Sequence, residues 1–371
     1  MSADRWRELL AQVESEEEVA VGDLEEAIRQ ADVAADVQAG FRLRSALIYT
    51  CQDRDRADLI LTHYPWCTGH ADCASDEERR LLLFRYRWAI SQTREFPAIP
   101  RSQIEELIDD MSQRYAESGY SQRAVWVLKM HMGYHWRDHG LIEQAVGCYQ
   151  AHPRDELADN EETEAVFAGH AMLEIAPREH ARRLARLEIK SRAHRSPVKS
   201  SVLLPLLMLG EHELAREQHE LGMQCATERW DFPDRSCHAV YRAMIREQES
   251  AEELLLRDLP AAVGSIEARR VVDYFANAAW VLSQANPAAL LPLDRRRLQA
   301  NTRQISPLHR AFPAGQGPSL DETLPQRLTR GALASWCRAR SRWLAAQFDR
   351  HCRSNAYHTA LDELDRLRPL S

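Results

Sequence analysis

A Gly-x-x-x-x-Ala signature recurs along this chain and constrains its fold more than any other feature. It runs from Gly22 to Ala27, Gly119 to Ala124, Gly140 to Ala145 and Gly210 to Ala215. Glycine ends a helix cheaply because it enters left-handed backbone angles without steric cost. An alanine five residues on, inside the next helix, lets two backbones approach closely. Repeated this way, the device predicts stacked helical hairpins, whose usual work is holding other proteins. Fourteen glycines in 371 residues is a low count, and the Val-Ile-Thr alternation that makes strands is nearly absent. The expected fold class is all-α, a stack of antiparallel helical hairpins forming an α-solenoid.

Period and caps place helices at about 24–35, 55–63, 101–117, 121–138, 141–151, 178–193, 250–257 and 293–305, with a last pair near 324–351 and 355–367. Helix 121–138 is apolar nearly all round and is expected to be buried among neighbours. Prolines are expected at helix boundaries, namely Pro65, Pro97, Pro100, Pro153, Pro177, Pro197, Pro233, Pro260 and Pro287. Residues 305–322 combine Pro, Gly and Ser and read as a linker or long loop, with Leu308 and Phe312 as packing points. The chain therefore divides into a helical array over 1–304, that linker, and a C-terminal helical cap over 323–371.

The 44% hydrophobic content suffices for a core, and the longest apolar run, Val202 to Leu209, is far too short to cross a bilayer. No secretion-signal pattern opens the sequence, so a cytoplasmic location is expected. Charge is polarised. Residues 1–100 carry 12 arginines against 19 acids, net −7, while residues 261–371 carry 16 against 9, net +7. That polarity could orient neighbouring copies or an acidic partner. The eight cysteines are scattered through apolar helix faces, as reduced core cysteines are.

Residues 126–153 resemble a tetratricopeptide repeat (TPR), a paired-helix unit of about 34 residues. Gly133 holds the small position of the first helix, with Trp136 three residues on. Gly140 makes the turn, Ala145 takes the small position of the second helix and Tyr149 the aromatic one. Lys129 and His152 depart from the pattern. The resemblance implies a TPR-like array whose first helices line a concave groove for an extended peptide or a helix. Carried onto this unit, the groove-facing residues are Val127, Met130, Tyr134, Arg137 and Asp138. The carboxylate clamp of the chaperone-binding members is absent, since Met130 and Tyr134 stand at its positions.

Three patterns carry other chemistry. His131, His135 and His139 recur every fourth residue, and imidazoles so spaced on one helix can share a metal ion. Cys67, His70 and Cys73 form CxxHxxC, crowded for a zinc site that normally joins two separated ligand pairs. His351-Cys352 suggests a nucleophile, yet neighbours on a helix point about 100° apart and no third group is spaced to orient them. Between Arg178 and Lys199 lie six arginines, two lysines and two acids, a stretch that could touch nucleic acid. No G-x-S-x-G, P-loop or dinucleotide fingerprint is present. The reading favoured is a scaffold that binds a protein or peptide partner, with no cofactor and no catalysis. A metal-dependent enzyme using the histidine stripe and a nucleic-acid-binding regulator are the alternatives.

Overall fold

The computed structural model describes residues 5–15, 17, 19–52, 56–226, 231–265, 267–293, 325 and 327–370, with the backbone alone at 192 and 193. The first half runs α1 (Arg5–Glu14), α2 (Val21–Val33), α3 (Val37–Cys51), α4 (Ala57–Gly69), α5 (Asp76–Gln92), α6 (Arg101–Glu117), α7 (Arg123–Trp136), α8 (His139–Ala151) and α9 (Glu161–Ile175). It continues with α10 (Pro177–Ala185), α11 (Arg192–Ser201), α12 (Leu203–Met208), α13 (His212–Cys225), α14 (Phe232–Met244), α15 (Gln248–Gly264), α16 (Ala268–Ser283), α17 (Arg330–Cys352) and α18 (Ala356–Arg366). Among the described residues, extended pairing is limited to a bridge between Leu290 and Thr329. The protein is all-α, and none of its described helices is long and apolar enough to cross a membrane.

Sequential helices pack on each other: α2 on α3, α3 on α4, α7 on α8, α9 on α10 and α14 on α15. The signature alanines Ala27, Ala124, Ala145 and Ala215 are all fully buried, as a close-approach position requires. The glycines divide. Gly119 and Gly210 take left-handed angles, φ +78° and +74°, at helix ends. Gly22 and Gly140 instead lie inside α2 and α8, and left-handed residues are found at Ala35 and Arg137, φ 54° and 52°. The turn expected at Gly140 is displaced because Asp138 caps α8, accepting from the Leu141 amide at 3.0 Å, so the helix starts earlier. Gly133 keeps its expected role: a Cβ there would lie 3.0 Å from Ile142 Cγ1 and 3.3 Å from the Ile142 amide.

Six of the nine prolines sit at boundaries, but Pro65, Pro197 and Pro260 lie inside α4, α11 and α15. A proline removes one amide donor and crowds the preceding turn. Here buried neighbours hold the helix through it: Tyr64 and Cys67 in α4, Val198 in α11, Leu259 and Ala262 in α15. The basic helix expected to run to 193 stops at Ala185. The 293–305 helix and the 305–322 linker, with Leu308 and Phe312, lie outside the described residues.

One core cluster extends from Trp6 in α1 to Tyr357 in α18, so α17 and α18 share the core of the helices before residue 294. A second cluster, Val127, Met130, Ile142, Ala145, Tyr149 and Ala171, joins α7, α8 and α9. Polar ties link the helices. Arg87 in α5 reaches Asp159 at 2.7 Å and the Leu157 carbonyl at 2.5 Å. Arg235 in α14 grips Asp258 in α15 through bonds of 2.6 and 3.1 Å. Both arginines are buried, so loss of either carboxylate would cost about 3–5 kcal/mol. The C-terminal layer closes back over the first half. Helices α16 and α17 pack along their length, Glu95 accepts from the Arg269 amide at 3.1 Å, and α18 reaches α7 through Tyr357 and His135.

Candidate functional site

The five residues expected to face a groove are held by the protein's own chain. Val127 and Met130, 2% and 0% exposed, are interior residues of the second core cluster and not groove-facing. Helix α7 is apolar on nearly every side, so α8 and α9 cover the face that the repeat pattern assigns to a ligand. Tyr134 is half-buried beside His170, and burial raises its phenol pKa. Arg137 pairs with Glu174 at 3.0 Å and extends toward the Tyr357 ring. Asp138 caps α8 and accepts from Arg101 at 2.8 Å.

The histidine stripe does not converge. Helix α7 ends at Trp136, the chain turns at Arg137, and His139 opens α8. His131 stacks on Phe167 with ring centroids 4.8 Å apart, and its Nε2 accepts from Arg94 at 2.6 Å. His139 is exposed, 3.9 Å from Glu174. His135 is 3% exposed and faces α17 and α18.

Around His135 the polar groups are few and their roles can be derived. The Tyr357 hydroxyl lies 2.9 Å from His135 Nδ1 and 3.1 Å from the His135 carbonyl oxygen. That carbonyl belongs to the last turn of α7, where no following turn supplies amides. A carbonyl can only accept, so the hydroxyl donates to it and accepts from Nδ1–H. His135 Nε2 is then a bare lone pair, buried and without a hydrogen-bond partner. His351 and Cys352, at the end of α17, each bring a donor atom to within 4.8 Å of a ring nitrogen of His135 and of each other. Burial, with Arg269 and Arg94 adding to it, holds the His135 pKa well below its ordinary value. Burial lowers His351 to about 4 and pushes the Cys352 thiol up to about 12.

The CxxHxxC residues do not assemble a comparable cluster. Cys67 is fully buried in α4, His70 stacks on Trp66 and bonds its carbonyl at 2.8 Å, and Cys73 donates to the His70 carbonyl at 2.9 Å. Parts of the basic stretch are spent internally. Lys199 donates to the Ala185 carbonyl at 3.1 Å, and Arg195 caps the carbonyls of Ile189 and Lys190, each at 3.0 Å. Arg178, Arg183 and Arg186 remain exposed.

A cleft between α4, α5 and α6, about 400 Å³ in volume, was not anticipated from the sequence. Its walls carry Tyr64, Tyr86, Tyr120, Arg79, Arg80 and Arg114. Asp110 fixes two of them, accepting from Tyr86 Oη at 2.6 Å and from Arg114 at 2.7 Å. No periodic signal marks this set, because its members come from three helices and the turn after α6 and meet only after folding. Tyr357 is unmarked for the same reason. His351-Cys352 is visible as a pair, but its third member arrives from α7. No family model, curated protein or solved structure matches the chain.

Proposed function

We propose that this chain is a protein-interaction module, a TPR-like stack of helical hairpins that holds a peptide or helix of a partner protein. The observation that carries this reading is the α4–α6 cleft, where Tyr120, Arg79, Arg80 and Arg114 rim an open concavity over the buried Tyr64 and Tyr86. Those two residue types supply most interface anchors, since each combines a large contact area with directed hydrogen bonds. Tyr86 and Arg114 are held in place by Asp110 before any partner arrives, so binding costs little side-chain entropy there. The expected α7 groove contributes less, since its residues are buried or paired mainly with α6, α8 and α9.

The test is affinity capture of partners from host lysate on the full chain, read by mass spectrometry at low and high salt. The reading expects one protein in near-equal amount at both salts. A Tyr120→Ala/Arg80→Glu variant should lose it while keeping its helicity and melting temperature. Recovery of nothing, or of nucleic acid at low salt alone, would sink it, and undiminished capture by the variant would remove the cleft from the binding surface.

A further inference from the structure

We propose that His135, His351 and Cys352 form a binding site for a zinc-class ion, d10 and borderline soft, which clamps α7 to the end of α17. Two imidazoles and one thiolate are a donor set that such ions favour over magnesium or calcium, which take oxygen ligands. Among the described residues this is the one group of three or more histidine, cysteine or carboxylate donors close enough to share an ion.

Two independent observations point to a ligand. His135 Nε2 is unpartnered in a side chain 97% buried, given 3% exposure, and an orphaned buried polar atom is costly unless something meets it. The tautomer is also already set for ligation. Tyr357 accepts from Nδ1–H and leaves a free Nε2 lone pair on a ring grouped with His351 and Cys352. Metal-bound histidines are oriented in this way by a hydrogen bond on the other ring nitrogen. Tyr357 is itself anchored, because Asp349 accepts from its amide at 2.8 Å.

A tetrahedral ion with bonds of about 2.0–2.3 Å keeps its donors about 3.3–3.6 Å apart. The present separations, all within 4.8 Å, would have to close toward that range on binding. Cys352 ligates as thiolate, its proton passing to solvent. Three protein donors leave the fourth position to a water molecule. The ion would join residues on either side of the long segment after α16, and so fasten the C-terminal layer to the array. This inference stands apart from the partner-binding reading, whose cleft lies between other helices.

The experiment uses chelator-stripped full-length protein titrated with Zn²⁺ against a competing chromophoric chelator, and with Co²⁺ as spectroscopic probe. One equivalent of zinc should bind, raising the melting temperature, and cobalt should show a thiolate charge-transfer band with tetrahedral visible bands. Zinc-edge X-ray absorption of the wild type should fit one sulfur and two imidazoles. Tyr357→Phe should weaken zinc about 10-fold, Cys352→Ser should abolish the charge-transfer band, and Cys67→Ser/Cys73→Ser should change neither. No stoichiometric binding, a sulfur-free fit, or loss of binding in the Cys67/Cys73 variant would overturn the proposal. Should Cys352→Ser fail to fold, the wild-type absorption fit and the Cys67/Cys73 variant still decide it.

Discussion

Two helix seams in this protein use the same device with different fillings. Where α7 crosses α8, Gly133 opens a notch that Ile142 occupies. Where α13 crosses α14, Gly222 opens a notch that the His238 ring occupies, so that a Cβ on Gly222 would lie 2.5 Å from two imidazole atoms. The first seam is apolar, with Val127, Met130 and Ala145 beside the isoleucine. The second is a chain of polar groups whose protons can be placed. Arg242 can only donate, and its Nε lies 3.3 Å from His219 Nε2. The His219 proton is therefore on Nδ1, which donates to His238 Nδ1 at 2.9 Å. That leaves the His238 proton on Nε2, buried and without a partner. A glycine notch fixes how close two helices come, and the side chain that fills it decides whether the seam answers to pH.

The largest effect is expected at the apolar seam. Ile142→Ala removes a fully buried side chain from a tightly packed notch and should cost about 2–5 kcal/mol in denaturant unfolding. The loss should be the same at pH 7 and pH 5, since the atoms nearest the notch belong to Ile142 and Leu141, which do not titrate. A loss below about 1 kcal/mol would mean that the notch collapses without strain and that the close approach is incidental.

Acid should act on the other seam. Burial, with His219 and Arg242 adding to it, lowers His238 to about 3, and burial with Arg242 lowers His219 to about 4. An unfolded histidine titrates near about 6.5. Between those values the unfolded chain takes up a proton that the folded chain refuses, so stability is present above about 6.5 and is lost as pH falls. For His238 the loss from pH 7 to pH 5 is about 2 kcal/mol. His238→Gln should shrink the pH 7-to-5 loss by about that amount in urea unfolding. An unchanged loss in the variant would place the acid sensitivity in other histidines.

The difference between the seams also explains what the sequence could disclose. Gly133, Ala145 and Tyr149 sit at fixed spacings within one hairpin, so local periodicity marks them and the apolar seam is legible. The same periodicity carries the all-α class and the buried character of α7. Gly222 and His238 follow no such spacing, and neither do the tyrosines and arginines of the α4–α6 cleft. Their partners are set by how helices pack in three dimensions, which a window of a dozen residues does not contain. The histidine stripe misleads for a related reason. Spacing of four places side chains on one face only while the helix continues, and Arg137 ends it between His135 and His139. Each histidine then belongs to a different neighbour, and the cluster that does form takes its other two donors from α17.

The smallest effect tests the turn above the apolar seam, where one side chain serves two elements. Asp138 accepts from the Leu141 amide as the α8 cap and from Arg101 as an ion pair. Asp138→Ala removes both and should cost about 1 kcal/mol, the usual worth of a cap. Asp138→Asn keeps an oxygen at the cap but drops the charge. The pair with Arg101 is partly exposed, 25% and 31%, and such pairs contribute only a few tenths to about 1 kcal/mol. Asparagine should therefore recover most of the stability lost with alanine, measured by thermal melting at low and high salt. If it recovers none, the ion pair to α6 holds the turn and the cap is secondary. In the expected case the α7–α8 hairpin is set by its notch first and its cap second, so both substitutions stay below the cost of Ile142→Ala.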